Sequence, residues 1–310
     1  MNIQTLRDMV DVFHGAPLSV ISDCLRGFMV AKDGHDFIDC DFSAVEARVL
    51  AWLAGEEKVL NVFRTHGKIY EATAAGIYGV SIDQVNSDQR QIGKVSNLAL
   101  GFGGGIGAFQ SMAKNYGLKV PDDQADEIKI AWRQANPSIV QFWYDLENAA
   151  KDAVLNPGRQ TQAGSHTHPV KYKVVGSFLL CLLPSNRALT YPYPKLQDVE
   201  TPWGEMKEAV TYMGEHPKTH KWDRLKTYGG HFAENVTQAV ARDLLAEAMI
   251  RLEDNGYSIV LHIHDEVVCE VPIGFGSEEE VERIMCELPD WASGLPLSGG
   301  SWRGPRFRKD

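Results

Sequence analysis

The sequence has no run of apolar residues long enough to span a bilayer. Its first ten residues, Met1 to Val10, mix Asn, Gln, Arg and Asp, which argues against a secretory signal there. Cysteine is scarce. The five residues Cys24, Cys40, Cys181, Cys269 and Cys286 are odd in number and form no CxxC pair. That usage argues against a disulfide framework or a zinc site, and for reduced thiols in a cytoplasm. Internal repeats and low-complexity linkers are missing. Positive charge is also short: 31 Lys and Arg stand against 41 Asp and Glu, a formal net charge of −10. Such a chain is expected to hold nucleic acid weakly unless it carries a local basic track.

With 310 residues, 44% of them hydrophobic, the chain can bury a real core as one large domain or two joined ones. Ile38 to Cys40 reads as a short strand entering Asp41. Val45 to Leu53 reads as a helix with Val45, Val49, Trp52 and Leu53 along one face, and Gly55 suits its end. Asn86 to Leu100 is a second helix, ended by a glycine cluster from Gly101 to Gly107. Asp122 to Ala153 is helical with a break at Asn136-Pro137. Lys171 to Tyr193 is rich in β runs, and Lys195 to Tyr228 reads as an extended hairpin or loop. His231 to Asn255 is a long helix. Ser258 to Val271 is a β-hairpin with acids at its turn. Glu278 to Leu288 is a short helix. Helices and strands fall in unequal blocks, which points to α+β with an antiparallel sheet.

Three constellations carry chemistry. The first is FIDCDFSAVEARVLAWLAG, which sets Asp41 at the end of a buried strand, a rigid seat for a metal ligand. A lone Asp before a helix is more often a cap, Asp41 or Ser43 serving equally well. The second is RQIGKVSNLALGFGGG. Arg90, Lys94 and Leu98 lie four apart on one helical face, with Phe102 at the next step. Surface helices often carry such cations without a function. Gly103 to Gly105 do not fit a P-loop, because no Gly-Lys-Ser/Thr follows and the glycines end a helix instead of opening one. The third is SIVLHIHDEVVCEVP. Turns favour Asp, yet two consecutive acids inside apolar strands are costly unless used. A tight turn there would face Asp265 toward Asp41, and two such aspartates can bridge two Mg²⁺ ions roughly 3.5–4 Å apart.

Taken together, in this order and spacing, the three segments resemble motifs A, B and C of the family A DNA polymerases, most of all phage-type members. The resemblance runs from about Ile21 to the end. It implies a right hand of palm and fingers: an α+β fold with an antiparallel palm sheet and a helical fingers subdomain. Residues 1–55 would hold the approach and first part of the palm, 56–155 the fingers, and 156–310 the rest of the palm. It implies template-directed addition of dNTPs to a primer 3′-OH, with two Mg²⁺ ions as cofactors and Mn²⁺ as a substitute. The metals would be held by Asp41, Asp265 and the Phe42 backbone carbonyl, with Glu266 supporting the site. Glu46 would lie under the sugar and exclude a 2′-OH, favouring DNA over RNA as product. Arg90 and Lys94 would hold the triphosphate as the fingers close, and Lys94 could protonate pyrophosphate.

Further assignments follow from the same resemblance. Phe102 would pack on the base pair, where the family commonly has Tyr, and Gly103 would admit the template base. Leu98 stands where bacterial members often carry an aromatic. Tyr70, in IYEATAAGIYG, stands where a fingers segment has His. Gln238, in ENVTQAVARDLLAEAM, would contact the template, with Arg242 and Asp243 as surface charges. His264 would touch the primer terminus. Arg187, in LPSNRALTYPYP, matches a template-contacting arginine, with Asn186 in place of a glycine. Arg26, in ISDCLRGFMVA, and Arg48 would also face DNA.

The expected partners are primer-template DNA and dNTPs, with no membrane, in a cytoplasm (the host's, for a phage protein). Some twenty residues before Ile21 are too few for a thumb, and no exonuclease acids are assignable. A thumbless enzyme is expected to be distributive and salt-sensitive. The alternatives are a split polymerase whose second chain supplies a thumb or processivity function, a non-catalytic DNA-binding remnant, and a single-chain RNA polymerase.

Overall fold

The computed structural model describes residues 3–201 and 204–308. Helices α1 (Ile3–His14) and α2 (Pro17–Cys24) precede strand β1 (His35–Phe42). Seven helices follow: α3 (Val45–Ala54), α4 (Glu57–Thr65), α5 (Ile69–Tyr78), α6 (Ser87–Leu100), α7 (Ile106–Asn115), α8 (Asp122–Ala135) and α9 (Pro137–Leu155). A run of strands comes next: β2 (Thr161–Ala163), β3 (Val170–Val175), β4 (Phe178–Leu182), β5 (Ala188–Pro192), β6 (Lys195–Glu200), β7 (Met206–Glu215) and β8 (Trp222–Lys226). The long helix α10 (Gly229–Asp254) leads to β9 (Ser258–Ile263), β10 (Glu266–Pro272), α11 (Glu278–Met285) and β11 (Gly299–Gly304).

The chain divides into two units. The first comprises Met1–Ser43, Leu245–Glu287 and Ser298–Asp310. Its antiparallel sheet has the order β11-β1-β10-β9. Strand β1 is flanked on both edges and largely buried, which explains its nearly continuous apolar reading. One face of the sheet packs Phe37, Val268, Trp302 and Phe307 together, with Leu261 and Ile263 beside them.

The second unit comprises Ala44–Leu244 and Leu288–Leu297. Helices α3 to α9 enclose Trp132, Phe109, Phe142 and Leu146, all fully buried. Two antiparallel sheets, β2-β3-β4-β5 and β6-β7-β8, lie in the same unit. The residues expected to form an extended hairpin or loop, Lys195 to Tyr228, form the second of these sheets. Phe232 at the start of α10 meets Tyr172 and Tyr191 edge-on, with ring centroids 5.6 and 5.3 Å away.

The local signals act as expected at several ends. Gly55 closes α3 with φ +69°, Pro137 opens α9, and Asn86 caps α6 through a reciprocal bond with Gln89. The glycine cluster departs from its reading. It ends α6 and also opens α7, whose N-cap is Gly105 and which includes Gly107. The sequence is still no P-loop, because no Lys-Ser/Thr follows. The mixed helical and antiparallel architecture is the α+β class read from the sequence.

Candidate active site

Asp41 lies one residue from the end of β1, opposite Glu266 across the β1–β10 ladder. It is not a helix cap: the N-cap of α3 is Ala44, in the left-handed region at φ 50°, with no side-chain capping bond. Strands β9 and β10 pair Ile263 with Glu266, so His264 and Asp265 form a two-residue turn. His264 takes φ 54° there, a region uncommon for any residue but glycine, although His visits it more than most. The Phe42 amide donates to the Asp265 carbonyl at 3.2 Å. This bond ties the turn to the residue after Asp41. His264 Nδ1 lies 3.0 Å from the Asp265 carboxylate, and the imidazole is two-thirds exposed.

The surroundings of these acids suit a divalent cation. Glu266 is buried, and Arg26 reaches it at 3.9 Å. Asp39, two residues before Asp41 and on the same strand face, is buried with its Oδ1 lacking a hydrogen-bond partner. Burial first, then the neighbouring Glu266 and Asp41, push the Asp39 carboxyl up to about 8. Asp39 thus has the Asp41 and Glu266 carboxyl groups as neighbours, and Arg26 reaches Glu266. The donors are hard oxygens, the kind Mg²⁺ takes, and Mg²⁺ needs only one or two protein carboxylates beside water and phosphate. Among the described residues no cluster of three or more His, Cys, Asp or Glu forms a metal cage. Nothing in the sequence marks Asp39 beyond its period-two spacing from Asp41.

In the second unit, α5 and α6 cross closely at Gly93. A Cβ there would lie 2.1 Å from the Tyr70 carbonyl oxygen. The crossing sets Arg90 and Lys94 beside Tyr70, with the guanidinium 5.4 Å and the ammonium 6.0 Å from its ring centroid. Arg90 Nε also donates to Glu71 at 2.8 Å. Tyr116, which caps the end of α7, lies 4.9 Å from the Lys94 ammonium. Neither Glu71 nor Tyr116 was singled out in the sequence. Leu98 is part-exposed on the same helix.

Phe102 follows α6 in the glycine turn, held from two sides. Trp143 Nε1 donates to the Gly101 carbonyl at 2.9 Å. Gly103 takes φ +74°, and Gly230 approaches so closely that its Cβ would lie 2.1 Å from the Phe102 carbonyl. Glu46 sits in the first turn of α3, partly exposed.

The residues expected at DNA separate into two groups. Gln238 is exposed on α10. Arg187 follows Asn186, which takes φ 65°, a conformation asparagine tolerates where glycine is usual. Its guanidinium donates to Asp243 at 2.5 Å and to the Ala239 carbonyl at 2.7 Å. Asp243 is therefore buried and paired rather than a surface charge, and it also accepts from Ser185. Arg48 is corrected most clearly. It is 5% exposed, stacks 4.2 Å from the Phe63 ring centroid and donates to the Pro296 carbonyl, so its guanidinium is spent inside the unit. Arg26 likewise turns inward to Glu266 and the Phe307 ring.

The chain is similar to several known proteins. The family described as DNA polymerase family A matches residues 19–158, which include Asp41, Glu46, Arg90, Lys94 and Phe102. A DNA polymerase of Bacillus phage SP02 is 43% identical over 306 residues, covering 98% of this chain and 46% of that protein. DNA polymerase I of Caldicellulosiruptor bescii is 25% identical over 268 residues, 84% of this chain and 25% of that one. The chain thus spans less than half the length of these relatives. A solved structure, the POL domain of Pol1 from M. smegmatis in complex with DNA primer-template and dNTP, matches with a TM-score of 0.57. That match has 18% identity and covers 91% of this chain and 42% of that one.

Proposed function

The chain belongs to DNA polymerase family A, and on that premise we propose that it carries out template-directed DNA synthesis, adding dNTPs to a primer 3′-OH and releasing pyrophosphate. The observation that carries the reading is the bond from the Phe42 amide to the Asp265 carbonyl, which ties the turn holding one acid to the strand end holding the other. Asp41, Asp265 and the Phe42 carbonyl would hold two Mg²⁺ ions, with Mn²⁺ as a substitute. Divalent metal bound there supplies activation of the hydroxyl and charge neutralisation at the phosphorus.

The other residues act directly. Arg90 and Lys94 bind the triphosphate, and Lys94 gives a proton to the leaving pyrophosphate. Glu46 excludes a 2′-OH from the sugar. Phe102 packs on the new base pair, Gly103 admits the template base, and Leu98 borders the sugar's 3′ position. Tyr70 lies against the two cations and can reach a phosphate oxygen. His264 touches the primer terminus and Gln238 the template strand. Glu266 supports the metal site, while Arg26 and Arg187, each ion-paired within its own unit and still partly exposed, would face DNA. The net charge of −10 supports a weak, salt-sensitive grip on the duplex and distributive synthesis.

A second reading keeps this chemistry but requires a second chain. It is favoured by the apolar side chains that α1 and α2 leave in solvent, among them Ile3, Val12, Phe13 and Leu18. Primer extension with dNTPs and Mg²⁺ at low salt separates the readings. Extension by the purified chain supports autonomous synthesis. Extension only with a copurifying partner supports the second reading, and none under either condition contradicts both.

A further inference from the structure

Three helices of the second unit bring aromatic and cationic side chains to one place. Tyr70 stands on α5, Lys94 on α6, and Tyr116 at the end of α7. The Lys94 ammonium lies 4.9 Å from the Tyr116 ring centroid and 6.0 Å from that of Tyr70. Both fall within cation–π range, and Tyr116 is the closer. Tyr116 is itself firmly placed. Its amide donates to the Ala113 carbonyl at 3.0 Å and to that of Met112 at 3.3 Å. Its ring is about one-third exposed, so the contact is neither buried in the core nor free in solvent. Burial raises the Tyr70 phenol, and Tyr116 adds to that shift, which agrees with two rings sharing one site.

We propose that Tyr116 is a positioning residue for Lys94, its ring face holding the ammonium at the triphosphate site before the nucleotide arrives. The proposal rests on the function assigned to Lys94 above. A lysine side chain has four rotatable carbons and loses much entropy when fixed. Holding its ammonium against a ring removes part of that cost from nucleotide binding. The ring's quadrupole does this without neutralising the charge. A carboxylate in the same place would cancel the attraction for phosphate. Arg90 shows the contrasting arrangement, because Glu71 takes its Nε and leaves the rest of the fork available.

The test compares Tyr116→Phe, which keeps the ring, with Tyr116→Leu, which keeps apolar bulk without it. Two quantities are read: the rate at which an amine-acetylating reagent modifies Lys94, followed by peptide mass spectrometry, and KM for dNTP in single-nucleotide primer extension. The Phe variant is expected to match wild type in both. The Leu variant is expected to acetylate at Lys94 about threefold to fivefold faster and to raise KM by a similar factor with kcat within about twofold. That is the size of one partly exposed cation–π contact. Equal Lys94 acetylation in all three proteins overturns the proposal, as does a Phe variant that behaves like Leu. Acetylation needs no polymerase activity. A wild type that fails to extend primers, and whose Lys94 is not protected by inorganic tripolyphosphate, contradicts the function assigned to Lys94 and leaves the acetylation comparison to judge the contact.

Discussion

The backbone of Tyr70 and the α-carbon of Gly93 approach so closely that a single added methyl would meet the Tyr70 carbonyl oxygen at 2.1 Å and the Ala74 amide nitrogen at 3.0 Å. Both obstacles are backbone atoms of α5, which cannot swing aside. Ala is the better helix former by about 1 kcal/mol, but overpacking two helices costs about 1–3 kcal/mol. The steric effect should win. Gly93→Ala is expected to lower the melting temperature by roughly 2 °C or more and to raise KM for dNTP, because Arg90 and Lys94 move with α6. Thermal melting and single-nucleotide kinetics check this. Unchanged melting would mean the helices do not pack this closely.

Glu147 should matter for stability and for its pH dependence. It is buried on α9, with Lys207 at 2.8 Å, Lys151 at 2.9 Å and the Gly229 amide at 3.2 Å. Burial raises its carboxyl, but the hydrogen bonds from Lys207 and Lys151 outweigh that and hold it below the ordinary glutamate range. A depressed carboxyl contributes stability above its unfolded value of 4.5 and loses it as pH falls through the folded value. Glu147→Gln is expected to cost about 1 kcal/mol at pH 7, toward the low end for a buried hydrogen-bonded charge, because Lys207 is half exposed and can return to water. Denaturant titrations at pH 7 and pH 4 should show the variant and wild type converging at the lower pH. A constant gap between them would contradict the assignment.

In the proposed function Glu46 would carry the choice of sugar. Glu46→Ala is expected to raise the efficiency of rNTP incorporation relative to dNTP by about 10²-fold, the scale on which one blocking group in a pocket discriminates. Parallel single-nucleotide assays with dNTP and rNTP read this directly. Wild-type incorporation of rNTPs at dNTP rates would remove the role and favour an RNA product.

Much of this architecture is legible in the sequence because the relevant signals are local. Gly55, Asn86 and Pro137 mark helix ends by backbone chemistry that operates without tertiary context. The His264-Asp265 turn is legible for the same reason, since apolar strands flank it on both sides. Pairings across long separations are not. Arg48 and Arg187 read as DNA-facing arginines, and only the folded chain reveals Phe63 and Asp243 as their partners. Tyr116 is silent for a related reason. Nothing in its neighbourhood distinguishes it until three helices bring it to Lys94. Lys195 to Tyr228 reads as an extended hairpin or loop because it is polar, with Pro and Gly, and β7 supplies the register that makes these strands a sheet.

Asp41 and Asp265 are proposed to act together through divalent metal. Single-nucleotide primer extension by wild type, Asp41→Asn and Asp265→Asn, with melting curves as the control for folding, tests this most directly. Wild type is expected to extend the primer only with Mg²⁺ or Mn²⁺, and each folded variant to lose roughly 10³-fold or more of that rate. Extension that survives Asp265→Asn at a near wild-type rate would contradict it.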